Sequence, residues 1–151
     1  YGKRHNVPYS IIRPSAVYGS GDQNARVIYK FAMAAISGQT LHVDGDGSNK
    51  ADFTNIIDIA DAIFKCTISD KTNFKIYNAT TGNAISLNDV IDIIRNEYPE
   101  LKVQYGNKPD FVPLRGSLDI TSLSNDSGYA PSISTRRGIL EYIEHLKNNE
   151  Y

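Results

Sequence analysis

The sequence predicts an α/β chain, on three observations. Short apolar runs alternate with segments whose apolar residues recur at helical spacing, those helical segments carry start and stop residues, and Gly, Pro, Asn and Asp gather between them.

Residues 7–12, Val-Pro-Tyr-Ser-Ile-Ile, are short and partly β-branched, which predicts a strand buried on both faces of a parallel sheet. Such a strand needs neighbours, and Arg13-Pro14 should end it because proline donates nothing to a ladder. A loop follows at Gly19-Ser20-Gly21-Asp22. Val27, Ile28, Phe31, Ala34 and Ala35 then mark a helix that stops at Gly38. Leu41, His42 and Val43 make a brief strand before the turn Asp44-Gly45-Asp46-Gly47-Ser48, and residues 53–57 suit a second extended segment. Asp58 is placed to cap a helix whose Ile59, Ala62, Ile63 and Cys66 share the core face.

Residues 74–78 read as a strand and 80–83 as a turn. Ser86 should cap a helix striped by Leu87, Val90, Ile91 and Ile94, with Asp89 and Asp92 near its positive end. Leu101, Val103 and Tyr105 alternate as a strand does. Residues 106–134 are polar and rich in Gly, Pro, Ser and Asp, and loops that long are usually functional or disordered. A last helix starts near Ser134, with Ile139, Tyr142, Ile143 and Leu146 on one face. Gly138 inside it costs about 1 kcal/mol relative to alanine, so close packing is the expected reason for it.

Composition narrows the function classes. With 151 residues the chain is long enough for one core, and no apolar run approaches the roughly 20 residues of a membrane helix. A formal net charge of −1 gives no field suited to a nucleic acid backbone. The single Cys66 rules out a disulfide within the chain and agrees with a reducing cytoplasm, the expected location. The chain starts at Tyr1 with no charged-then-apolar secretion signal, and further sequence upstream is expected.

Single motifs are weak. Asp44-Gly45-Asp46-Gly47 lacks the ligand spacing of a calcium loop and reads as a turn. Gly19 and Gly21 lack the third glycine of a dinucleotide fingerprint. His5, His42 and His145 are scattered, with no nucleophile pattern beside them; His42, entering a Gly-rich turn, is the one placed to face a ligand. Arg115, in Pro113-Leu114-Arg115-Gly116, is either a solvated arginine or a fork of donors for a phosphate.

Their order is more informative. Residues 11–19, Ile-Ile-Arg-Pro-Ser-Ala-Val-Tyr-Gly, precede residues 45–54, Gly-Asp-Gly-Ser-Asn-Lys-Ala-Asp-Phe-Thr, with Ile56 to Ala60; Tyr77-Asn78 follow, then Gly128-Tyr129-Ala130-Pro131 and Gly138. This series resembles the carboxy-terminal half of extended short-chain dehydrogenases, the nucleotide-sugar epimerases and dehydratases, over essentially the whole chain. The resemblance implies a Rossmann half that binds NAD or NADP and a smaller lobe that grips a sugar on a nucleoside diphosphate, in a reaction that begins with hydride transfer. It implies that residues 1–22 are a remnant strand and loop of the Rossmann domain. Residues 23–151 would then be the substrate-binding lobe, returning briefly to the Rossmann sheet near 74–80.

The family's catalytic Tyr-x-x-x-Lys is expected upstream, since Tyr1 is followed four places on by His5, so no catalytic residue is assigned here. By resemblance Pro14 and Ser15 lie near the nicotinamide, Ala16 is a substrate position, Arg26, Val27, His42 and Asp44 line the nucleotide side, and Arg115 holds phosphate. Two positions depart from the pattern: Ala16 stands where asparagine is common, and Ala51 where arginine is common. Lys50, Arg26 or Arg115 would have to replace the lost donor. The expected partners are a nucleoside diphosphate sugar, the Rossmann half and a second copy in a homodimer, without nucleic acid or membrane. NAD or NADP is expected to bind the longer protein and not to bind this segment tightly by itself. The competing readings are a reductase of a substrate without a diphosphate, which Ala51 favours, and a non-catalytic ligand-binding or interaction domain.

Overall fold

A computed structural model describes residues 1–22, 24–107 and 115–148. A single helical turn, α1 (Gly2–His5), leads into β1 (Ser10–Pro14) and β2 (Val17–Tyr18). Next come α2 (Val27–Ser37), β3 (Leu41–Val43), β4 (Lys50–Ala51), β5 (Thr54–Asn55) and α3 (Ile56–Ile68). After a 3-10 turn at Asp70–Thr72 the chain forms β6 (Lys75–Ala79), β7 (Ile85–Ser86), α4 (Leu87–Arg95), β8 (Val103–Tyr105), α5 (Thr121–Ser127) and α6 (Thr135–Asn148). The α/β class predicted from the sequence is the class observed.

The strands pair two by two. β1 runs parallel to β6 with Ser10 opposite Lys75 and Pro14 opposite Ala79, β2 is parallel to β5, β3 is parallel to β8, and β4 is antiparallel to β7. Two hydrophobic clusters result. The larger joins the inner faces of α2, α4 and α6 to Leu41, Val43 and Phe53. The smaller joins Ile59, Ala62 and Cys66 of α3 to Tyr77, Ala79, Leu123 and Tyr129. Burial pushes the Cys66 thiol up from its usual range, which leaves it a core hydrophobe rather than a nucleophile.

Several expected elements shift. The first strand is Ser10–Pro14, not residues 7–12, and Pro14 is its last residue. Among the described residues β1 has one partner strand, so Pro14 can close it without breaking a ladder on a second side. Ile11 and Ile76 are exposed, so this pair is not buried on both faces. Residues 53–57 are extended only at Thr54 and Asn55. The cap of α3 is Asn55, whose side chain accepts from Ile57 N at 2.9 Å, and Asp58 lies within the first turn of the helix. Ile63 is half-exposed beside exposed Phe64 and Ile68, because the smaller cluster meets only the Ile59, Ala62 and Cys66 face. Within the expected loop 106–134 lies α5, a helix built from Thr, Ser, Asn and Asp that favour caps over helix interiors, closed by Gly128 at φ 70°.

α4 starts as its sequence indicated. Ser86 N and Oγ both donate to Asp89 Oδ2 at 2.7 Å, and Asp89 N donates back to Ser86 Oγ at 3.1 Å, a reciprocal capping box. These donors hold the Asp89 carboxyl below the usual carboxylate range. A depressed folded-state pKa stabilises the fold above the unfolded value near 3.9, and the contribution is lost as pH falls through the folded value. The stability gap between the parent and Asp89→Asn should therefore be full at neutral pH and shrink below about pH 4, as urea titrations along the acid limb would show. A gap constant down to pH 2 would contradict the assignment. At the other end of the chain, the basic start of α6 is partly answered by an i,i+4 pair, Arg137 Nε to Glu141 Oε1 at 2.7 Å.

Candidate functional site

A cavity of about 530 Å3 opens between the start of β2, the first turn of α2 and β4. Its walls are Ala16, Val17 and Tyr18, residues 24–28 with Lys30, residues 49–51 with Phe53, Leu87 at the head of α4, and Arg115. The volume lies within the range of small-ligand sites, and the lining is mainly apolar with a few convergent polar groups.

Local chemistry shapes each wall. Ala16 and Ala25 both hold left-handed backbone, at φ 40° and 45°, a conformation that costs a non-glycine residue about 1–3 kcal/mol. Both line the cavity, where such strain tends to gather. α2 begins at Arg26, whose side chain makes no cap bond, and its first turn carries no acid. Arg26 and Lys30 stand one turn apart there, Lys30 N bonding Arg26 O at 2.9 Å. The β4 wall is braced from behind by Leu87 N to Asn49 O at 3.0 Å and Asn88 N to Gly47 O at 3.1 Å. Gly47 holds φ 74°, and a Cβ there would displace the side-chain amide of Asn88, which donates to Asp46 O at 3.0 Å and accepts from the Tyr105 hydroxyl at 2.9 Å.

Two acids in the recognised motifs are structural. Asp52 is fully buried between Ala51 and Phe53, and it accepts from Thr81 N at 3.1 Å, Thr81 Oγ1 at 2.5 Å and Leu118 N at 3.2 Å. It thereby ties the cavity wall to the segment that carries Arg115. Asp58, 1 % exposed, accepts from Ser132 N at 2.9 Å, Ser132 Oγ at 3.0 Å and Ile133 N at 3.2 Å. The Asp44-to-Ser48 turn uses its own carboxylate: Asp46 Oδ1 accepts from Ser48 N at 2.9 Å and Ser48 Oγ at 2.5 Å.

Of the residues singled out in the sequence, Ala16, Arg26, Val27 and Arg115 meet on this cavity, together with Lys50 and Ala51. His42 and Asp44 are not on its lining. His42 is exposed on β3 while its neighbours Leu41 and Val43 turn inward, the alternation a strand imposes. Pro14, which ends β1, and Ser15, which follows it, come immediately before Ala16 and are also outside the lining. Pro113 and Leu114, which flank Arg115, lie outside the described residues. Asn24, Ala25, Lys30 and Asn49 line the cavity without having been picked out; only Lys30 had a legible signal, four residues after Arg26 on a helix.

The fit to NAD or NADP is poor. The Gly19–Asp22 turn, closed by Asp22 N to Gly19 O at 3.2 Å, follows a two-residue strand, and Asn24 stands where the third fingerprint glycine would be. The described residues thus form no cradle for a dinucleotide pyrophosphate.

A model of the NAD dependent epimerase/dehydratase family matches residues 1–79. A putative UDP-glucose 4-epimerase of Methanocaldococcus jannaschii is 30% identical over 155 residues, covering 99% of this chain and 49% of the relative. The chain thus spans about half the length of that relative. Among solved structures, the epimerase Mth375 of Methanothermobacter thermautotrophicus superposes with a TM-score of 0.90 at 22% identity, over 98% of this chain and 46% of that one. A UDP-glucose 4-epimerase of Thermotoga maritima, solved with UDP-glucose, gives 0.87 at 20% identity, over 97% of this chain and 48% of that one.

Proposed function

Because this chain belongs to the NAD dependent epimerase/dehydratase family, we propose that it forms the substrate-binding lobe of a nucleotide-sugar epimerase or dehydratase, its 530 Å3 cavity holding the nucleoside diphosphate sugar. The observation that carries this reading is the segregation of charge. The chain as a whole is at −1, yet among the described residues the cavity wall bears Arg26, Lys30, Lys50 and Arg115 and no carboxylate. A diphosphate matches such a ring, and the apolar floor of Val17, Ile28, Phe53 and Leu87 suits a base and a sugar face.

The contribution of this chain is to bind, orient and exclude water. Oxidation of the sugar calls for a dinucleotide and an acid–base group that the described residues do not provide, and the resemblance puts both in a preceding half. The bare wall at Ala51 suits a substrate without a diphosphate, but four cations around one cavity favour the phosphorylated ligand.

Arg115 is the residue best suited to anchor the diphosphate, since a guanidinium grips two oxygens at once where lysine offers a point charge. In the complete enzyme Arg115→Ala should weaken a nucleoside diphosphate sugar about ten- to a hundredfold while leaving NAD or NADP binding unchanged, by calorimetric titration. Equal loss for both ligands would indicate general damage. No loss for either would remove Arg115 from the site.

A further inference from the structure

We propose that α3 and β1 together form a docking seam for a preceding α/β half of the same polypeptide, whose parallel sheet runs on through β1 and β6. The seam takes α3, placed by resemblance in the substrate-binding lobe, and joins it to the sheet instead. It is independent of the ligand that the cavity takes.

The two flanks of α3 differ. Its inner face, Ile59, Ala62 and Cys66, packs with Ile12, Tyr77 and Ala79 in the smaller cluster. On one side of that face the helix turns polar at Asp61 and Lys65, which pair at 2.8 Å. On the other side Ile63, Ile56, Ala60, Phe64, Ile57 and Ile68 follow one another round about 140° of the helix, at about 100° per residue, and all six are exposed. Ile57, Ile63, Phe64 and Ile68 are each more than half exposed. An unbroken apolar surface along about three turns marks an interface, whereas single exposed apolar side chains would not.

The bare flank overhangs the open edge of β1. A cleft of about 270 Å3 separates Ile63, Cys66 and Thr67 of α3 from Pro8, Tyr9, Ser10 and Ile12. Among the described residues β1 pairs with β6 alone, and Pro14 at its last position leaves residues 10–13 able to pair on a second side. Leu123 of α5 and Tyr129 pack with β6 instead. On the second face of the pair, Ile11 and Ile76 stand opposite each other in register, both exposed. Parallel strands ordinarily lie within a sheet covered on both faces. Here an edge, a face and a helix flank are open side by side, and further parallel strands with their own helices close all three. β1 is the first strand of the fold, so an earlier strand joins there. The chain spans about half the length of its relative, which leaves a domain's length for that occupant.

The test is thiol labelling of the complete protein with a maleimide, read at each site by mass spectrometry. Ile63→Cys and Phe64→Cys should react at least about tenfold more slowly than Arg95→Cys at the exposed end of α4, approaching the rate of buried Cys66. The protection should be the same at low and high protein concentration. Labelling as fast as at Arg95→Cys would show the flank open and overturn the inference. Protection that fades on dilution would give the seam to a second copy and overturn it as well. Neither result touches the nucleotide-sugar reading, which calorimetry decides separately.

Discussion

Asp58→Ala should be among the most destabilising single changes in this chain, lowering stability by about 2–4 kcal/mol, or a midpoint shift of very roughly 5–15 °C. The carboxylate is 1 % exposed and takes three hydrogen bonds, two from the backbone of Ser132 and Ile133 and one from the Ser132 hydroxyl. Bonds to an ionised acceptor are the stronger kind, and removing the acceptor leaves their donors to find water in a half-buried strap. The carboxylate also sits in the first turn of α3, where a negative charge is favoured. It links positions 74 and 75 residues apart, so its loss frees the segment entering α6 as well. Asp58→Asn keeps one oxygen but turns an amide toward a backbone N–H, and should fall between parent and alanine variant. Urea denaturation decides it: a change of less than about 0.5 kcal/mol for the alanine variant would show that the strap is held by other contacts.

Gly138→Ala should also destabilise, by about 1–3 kcal/mol, although alanine is worth about 1 kcal/mol more than glycine in an ordinary helix interior. The sign is reversed by packing. A Cβ on Gly138 would overlap the Tyr18 hydroxyl and press at 3.0 Å on both Asn55 Nδ2 and Ile133 Cγ2. Tyr18 is 2 % exposed and donates to Thr135 O at 3.3 Å; burial also pushes its phenol well above the usual range, so it is held as a neutral donor. The ring cannot withdraw without disturbing the cavity it lines. The variant should therefore lose ligand affinity together with stability, and Tyr18→Phe in the same background should recover part of both. A thermal midpoint above that of the parent would show that α6 has room to shift.

The close packing expected of Gly138 is thus borne out by its neighbours, while the neighbours themselves could not be read from the sequence. Tyr18 and Gly138 lie 120 positions apart, and only the docking of α6 against β2 and β5 brings them together. The same division runs through the rest of the chain. Local patterns fixed what depends on near neighbours. The stripes of α2, α4 and α6, the glycine stop at position 38, the Ser86 cap and the turn at residues 44–48 are interactions within a few residues, and each is present.

Where partners are distant, the sequence was silent or misleading. α3 carries apolar residues nearly all round, so periodicity placed Ile63 inward with Ile59, Ala62 and Cys66. Only the position of Leu123 and Tyr129 decides which side is covered. α5 has weak intrinsic propensity and exists because Leu123 is buried and Gly128 ends it. Asp58 in isolation is a good cap, yet the tighter geometry of Asn55 takes that role and frees the acid to hold another segment.

By itself the sequence determined the class of fold, the helices with one clear apolar face and, through the order of its motifs, the family. The tertiary structure decided the site. Ala16, Arg26, Lys50 and Arg115 come from four separate segments, and no local rule relates a left-handed alanine after one strand to an uncapped helix start and a loop arginine. A cavity is a property of surfaces that meet, and that meeting is set by the burial of α2, α4 and α6 against each other rather than by the residues left lining the gap.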